Sequence, residues 1–305
     1  MLRPGGGRDA ALNDVERRAT LCAHGPERDR FPLCFHIIEV CGGIGGISKA
    51  GERFGCLSLN LELKLGWDFL DNAVFRWLIW ICLSGRCFFI MLEPPCTTMS
   101  LARKPGLRSS KVPWGFDPLY LKTSEGTLFA TQCMVLAVIQ WLVGNYFCIE
   151  QPLGGFMKWL HCWMVLFAMG AYEDWSPQCR WIKTKEKYRK DTIFMHNHPG
   201  LGKLSGFCTC KRKHIQLMGS LTTLAAAYPE GLSEEVVGGI SDSFPNTPGP
   251  WGIPDGAESL VLHKGSATDI DEAIDEHPEV CLDALDHDAL YTIFGRVQNL
   301  MCCRY

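Results

Sequence analysis

Apolar residues along this chain come in short runs, some interrupted by single polar residues, each closed by turn-forming residues. Phe35–Val40, Leu57–Leu61, Phe88–Leu92 and Tyr146–Ile149 are four such runs. Their length and their β-branched and aromatic content predict buried strands rather than helices. Between them lie longer stretches of helical length. Ile47–Phe54 follows a glycine cluster. Asn72–Leu83 carries Val74, Trp77, Leu78 and Ile81 on one face and stops at Ser84-Gly85. Thr127–Val143 is ended by Gly144-Asn145. Strand and helix alternate with short connections, which predicts an α/β fold: a mostly parallel, twisted sheet with helices on both faces. Met157–Met169 reads as a further helix. Beyond it the pattern weakens, leaving Thr192–Met195 as a strand and Ser220–Ala227 as a helix closed by Tyr228-Pro229.

Composition divides the 305 residues into three parts. Residues 1–30 are rich in Gly and Arg without a continuous apolar stretch, so they read as a flexible leader and not a secretory signal. Residues 31–240 form the body. Residues 241–305 begin with four prolines between Phe244 and Pro254 and continue as an acidic tail with ten acids and one lysine over Glu258–Asp288. From Trp251 onward there are eleven acids and three bases, which leaves 22 acids against 27 bases in residues 1–250. The net charge of −3 therefore hides a mildly basic body, which permits a polyanionic partner without demanding one. Sixteen cysteines sit mostly in apolar segments and read as reduced core residues of an intracellular protein. Arg76, Arg86 and Gln140 interrupt the longest apolar stretches, so no membrane partner is expected.

Three strand ends carry the chemistry. Phe35–Val40 runs into Cys41-Gly42-Gly43-Ile44-Gly45-Gly46, whose glycines let a ligand approach the backbone closely. Glu62, at the end of the next strand, stands where an acid grips ribose hydroxyls in dinucleotide-type sites. Cys96 follows Pro94-Pro95, which halt strand pairing and display the thiol on a loop. Ser100 adds a hydroxyl. The loop beyond it carries Arg103, Lys104, Arg108 and Lys111, which would hold a thiolate or contact phosphates. Glu150, pinned by Gln151-Pro152, is an acid placed to protonate a ring nitrogen. Cys208, Cys210 and His214, with Cys179, His196 and His198, raise the question of zinc. Their spacing is not the paired Cys-x-x-Cys of a structural site, so surface thiols and a basic turn are expected and no metal is assigned.

Together these strings resemble the C5-cytosine-specific DNA methyltransferase family. Glu39-Val40-Cys41-Gly42-Gly43-Ile44-Gly45-Gly46 matches the glycines of its first motif. Pro94-Pro95-Cys96 with Ser100 matches its nucleophile motif, and Glu150-Gln151-Pro152 keeps the acid of its Glu-Asn-Val motif. The resemblance spans roughly 35–235 and implies a Rossmann-like methyltransferase core. It further implies S-adenosylmethionine held by Cys41, Gly43, Gly45, Gly46, Glu62, Asp68 (or Asp71) and Pro94. Cys96 would be the nucleophile on C6 of cytosine and Glu150 the acid at N3. Ser100, Arg103 and, through a partial arginine motif at Lys187-Tyr188-Arg189-Lys190, Arg189 would lie on the substrate. A reduced target-recognition region would occupy about 180–220. The implied partner is nucleic acid, with DNA before RNA, and nuclear residence follows from that substrate alone. A cofactor-binding scaffold without turnover is the rival from another class.

Overall fold

The computed structural model describes residues 35–184, 187–211, 213–215, 217 and 225–244. The leader, nearly all of the linker and tail, and most of the expected helix at 220–227 lie outside the described residues. Six strands, β1 (Phe35–Val40), β2 (Ser58–Leu61), β3 (Cys87–Leu92), β4 (Tyr146–Pro152), β5 (Tyr172–Pro177) and β6 (Asp191–His196), form one sheet in the order β2-β1-β3-β4-β6-β5. The first four are parallel, whereas β6 runs antiparallel to both β4 and β5. The α/β class and the mostly parallel sheet thus stand as read, with β6 as the reversed member.

The helices are α1 (Gly46–Arg53), α2 (Asn72–Leu83), α3 (Leu121–Leu142), α4 (His161–Ala168) and α5 (Glu230–Ser241). Strand alternation distributes them between two cores. Ile38, Val40, Ile90, Leu92, Phe147 and Ile149 face one way and pack with α2, α3 and α4. Ile37, Phe89, Met91 and Cys148 face the other way and pack with Ile47 and Ala50 of α1 and Leu232, Val236 and Val237 of α5. Helices on both faces are therefore observed.

Several boundaries differ from expectation, and β4 continues through Glu150-Gln151 to Pro152 where a stop after Ile149 was expected. Helix α3 begins six residues before Thr127, because Gly126 sits inside it rather than ahead of it; a Cβ there would collide with Thr98 Oγ1. Met157–Met169 is not one helix: a 3₁₀ turn at Met157–Trp159 passes through extended Leu160 into α4. Strand β5 and helix α5 have no counterpart among the expected elements. Helix α3 is long and apolar enough to cross a membrane by length and composition, with 56% of its most apolar window buried in the fold. Its buried Gln140 donates to the carbonyls of Cys87 and Tyr146 at 3.1 and 3.3 Å, tying it to the sheet.

Candidate active site at the carboxyl edge of the sheet

Strand order reverses between β1 and β3, since β2 lies on one side of β1 and β3 on the other. In open α/β sheets the crevice outside such a switch point is where ligands bind. Here it is flanked by the glycine turn after β1 and by Glu93-Pro94-Pro95-Cys96 after β3, with Glu150 at the end of β4. Because β6 is reversed, its entry lies at this same edge: Pro152 pairs with Thr192, which brings Lys190 beside Glu150. The Lys190 ammonium is 3.7 Å from Glu150 Oε1, and the Glu150 side chain is only 8% exposed.

The glycine turn is shaped around Glu39, whose carboxylate leaves β1 and enters the first turn of α1. It accepts hydrogen bonds from the amides of Ile47 at 3.1 Å and Ser48 at 2.7 Å. Gly45, the residue before α1, has φ 71 and no side chain with which to cap, so Glu39 supplies the cap from a distance. A Cβ on Gly42 would run into the Glu39 carboxyl group, and one on Gly46 would press on Ser233 Oγ at 2.9 Å. Cys41 adopts a left-handed conformation with φ 61, donating its amide to Leu61 O at 2.8 Å. Glu62 accepts from the Gly43 amide at 2.9 Å. Asp68 accepts from Leu70 within its own turn, whereas Asp71 caps α2 through the Ala73 amide, which leaves Asp68 as the freer of the two acids.

Acids dominate the electrostatics. Burial pushes the Cys41 thiol far up, with Glu62, Glu93 and Asp68 adding to it. Glu93 is raised well above the usual carboxyl range by burial, then by the charges of Glu39 and Glu150; it shares a hydrogen bond with Glu39, and Lys190 opposes the shift. Cys96, half-buried, has its thiol raised first by burial and then by Glu150, with Lys190 pulling the other way. The basic loop contributes nothing to that balance, contrary to the expectation that it holds a thiolate. Arg108 is in fact buried, donating to Pro113 O at 2.9 Å, Thr123 O at 2.6 Å and Thr127 Oγ1 at 3.1 Å. It fastens the loop to α3 and is lost to phosphate contact. Ser100 accepts from the Ala102 amide in an exposed turn that also includes Arg103.

Arg189 does not turn toward the site: its guanidinium pairs with Asp191 at 2.9 Å in solvent. The neighbouring Lys190 takes the inward position instead. Sequence reasoning missed three residues here. Lys190 was seen only as the last residue of the partial arginine motif. Glu93 was passed over beside the more conspicuous Pro94-Pro95-Cys96. Tyr228, read as a helix stop, has its hydroxyl buried without a hydrogen bond, raised by burial and then by Glu150, Glu93 and Glu39 around it. The Glu93 and Glu150 Oε1 atoms and both polar atoms of the Gln151 side chain are likewise buried without a hydrogen bond. Tyr228, Glu93 and Glu150 lie close enough to influence one another, whereas Gln151 alternates to the opposite sheet face; buried polar atoms left unpaired in one place mark a spot that can receive polar groups.

No protein-family model matches this chain, and no curated protein matches it. What this edge of the sheet does has to be read from its own residues.

Of the six candidate metal ligands, two are committed elsewhere. His196 Nε2 lies 2.8 Å from Asp174 Oδ2, and His198 Nδ1 accepts from the Gly200 amide. The remaining four, Cys179, Cys208, Cys210 and His214, converge, with their donor atoms all within 4.8 Å of one another. Cys179 is buried and so is no surface thiol, whereas Cys208 and Cys210 are partly exposed.

Proposed function

We propose that the chain is an S-adenosylmethionine-dependent methyltransferase acting on C5 of cytosine in nucleic acid, through a covalent adduct on Cys96. The observation that carries the reading is the charge at the switch point. Phosphate-bearing cofactors seat their phosphates on the first-turn amides of the helix after β1. In this chain Glu39 already holds the Ile47 and Ser48 amides, and the carboxylates of Glu62 and Asp68 line the approach. That lining repels a pyrophosphate and suits a cationic nucleoside without phosphate, which is what a sulfonium donor is.

Glu62 would hold the ribose hydroxyls and Asp68 the base, against a backbone wall from Cys41, Gly43, Gly45, Gly46 and Pro94. Bound there, S-adenosylmethionine would supply an electrophilic methyl group. The protein's own part is to make C5 nucleophilic. The Cys96 sulfur adds to C6 while Glu150 delivers a proton to N3, so the ring's electrons move to C5. After transfer, loss of the C5 proton and expulsion of the Cys96 sulfur restore aromaticity and free the enzyme. Lys190 orients Glu150 and favours the thiolate on Cys96. A duplex target must present its cytosine out of the stack, with Ser100 and Arg103 on the loop beside it.

One observation favours the rival reading, a cofactor-binding scaffold: burial and Glu150 keep the resting Cys96 thiol protonated. Incubation with methyl-labelled S-adenosylmethionine and a cytosine-containing duplex, or an RNA of the same sequence, separates the readings. Label recovered as 5-methylcytosine from the duplex supports the proposal, and label in the RNA alone moves the substrate. Tight cofactor binding without label in either supports the scaffold. Absence of both binding and transfer removes the proposal.

A further inference from the structure

We propose that Cys179, Cys208, Cys210 and His214 form a structural zinc site beside the carboxyl edge of the sheet. Three sulfurs and one imidazole, four ligands in all, are the donor set that a closed tetrahedral zinc site uses. Cys208 Sγ lies 3.4 Å from His214 Nε2, and all the donor atoms fall within 4.8 Å of one another. A tetrahedron with zinc–sulfur bonds of about 2.3 Å has edges of roughly 3.8 Å, so a small inward movement closes the site.

The surroundings are those of bound thiolates. The Cys210 amide donates to Cys208 Sγ at 3.4 Å, the kind of backbone contact that orients a metal-bound sulfur. Zinc with three thiolates carries a net charge of −1. Binding would release the thiol protons, as zinc does when it takes protonated cysteines.

The fold also needs a fastening here. Between Ser205 and Leu217 no described residue is buried, and Phe207 is 75% exposed. Apolar packing holds this stretch only weakly, through an edge-on contact of Phe207 with Trp175 at 5.4 Å between ring centroids. What does hold it is sparse: Arg180 Nη1 donates to Ser205 O at 2.8 Å, and the Ile215 amide donates to Lys187 O at 2.9 Å beside a bridge from Tyr188 to Ile215. Cys179 belongs to a turn that follows β5, whose last residue, Pro177, pairs with Asp191 at the entry of β6. A metal joining Cys179 to 208–214 would lock that stretch against the backbone that carries Lys190 to Glu150. The site thus supports the candidate active site from the side, and its presence does not depend on the chemistry proposed there.

The full chain, produced with zinc available and purified without chelator, tests this by elemental analysis and X-ray absorption at the zinc edge. The expected result is stoichiometric zinc with three sulfurs at about 2.3 Å and one nitrogen at about 2.0–2.1 Å. Cys208→Ser and Cys179→Ser should lose the metal. His214→Cys should keep it with four sulfurs, which guards against a variant that merely fails to fold. Removing zinc from the wild type should loosen the backbone around Lys211 and Lys213 and speed their cleavage by trypsin. A folded metal-free chain, a disulfide among the three cysteines, fewer than three sulfur ligands, or zinc retained in the Cys208→Ser, Cys179→Ser double variant would overturn the proposal.

Discussion

Replacing Glu93 by glutamine should change how stability depends on pH, and in a direction that can be worked out. The Glu93 carboxyl is raised by burial, by the Glu39 and Glu150 charges and by its hydrogen bond to Glu39. The folded chain therefore keeps a proton that the unfolded chain gives up above about pH 4.3, the ordinary value for glutamate. Wherever the folded state binds the extra proton, stability falls as pH rises, by up to about 1.4 kcal/mol per pH unit for one full proton. Between pH 5.5 and 7.5 that is up to roughly 2.7 kcal/mol lost by the wild type and not by Glu93→Gln. The amide keeps the donor toward Glu39 without titrating. Urea unfolding followed by tryptophan fluorescence at several pH values gives both curves. Groups common to both proteins, such as His36 and His198, whose burial lowers their pKa, cancel in the difference. The variant should gain on the wild type steadily as pH rises. A difference that stays flat across this range would show that Glu93 is an ordinary ionised carboxylate and that the crevice is less acidic and less dry than described.

Other outcomes follow from the same geometry. Affinity for S-adenosylmethionine should rise with pH in the wild type, as Glu93 ionises beside a cation, and lose that dependence in Glu93→Gln; calorimetric titration across pH reads it. Glu150→Gln should leave cofactor affinity nearly unchanged and slow methyl transfer by about 10²-fold or more in a labelled-methyl assay. Lys190→Met should raise the Cys96 thiol further, and each unit of rise should cut thiolate-dependent alkylation of Cys96 about tenfold, as mapped by mass spectrometry. Gly42→Ala should displace Glu39 from the Ile47 and Ser48 amides, destabilise the fold by about 1–3 kcal/mol in urea titration and weaken cofactor binding.

The strands of the core were legible because each is an apolar run closed by turn chemistry; β1 and α2 fall on the residues the pattern gave. Strand β5 was not, because Tyr172-Glu173-Asp174-Trp175 is an exposed or half-buried edge strand with no apolar run, its acids engaged by Trp163 and His196 rather than by an apolar core. Helix α5 was hidden by Gly238-Gly239, which lower helical propensity. Gly239 is nonetheless required, since a Cβ there would press on the Gly200 carbonyl at 2.7 Å. At the site, residues on strand ends could be read because topology alone fixes their edge. Side-chain direction could not: Arg189 and Lys190 are neighbours in sequence, yet one faces solvent and the other faces Glu150. The residues of the Cys179 cluster were named from the sequence but not brought together, as the first ligand stands 29 positions from the next and only the reversal of β6 joins the two.

The most direct test of the account is covalent trapping on a duplex containing 5-fluorocytosine in the presence of S-adenosylmethionine. Fluorine at C5 blocks the final elimination, so the base should remain bonded to the protein, and peptide mapping should place the bond on Cys96. The Cys96→Ser variant should form no adduct while still binding the cofactor. A wild-type chain that binds S-adenosylmethionine yet forms no adduct with the duplex, or an adduct that persists in Cys96→Ser, would contradict the account.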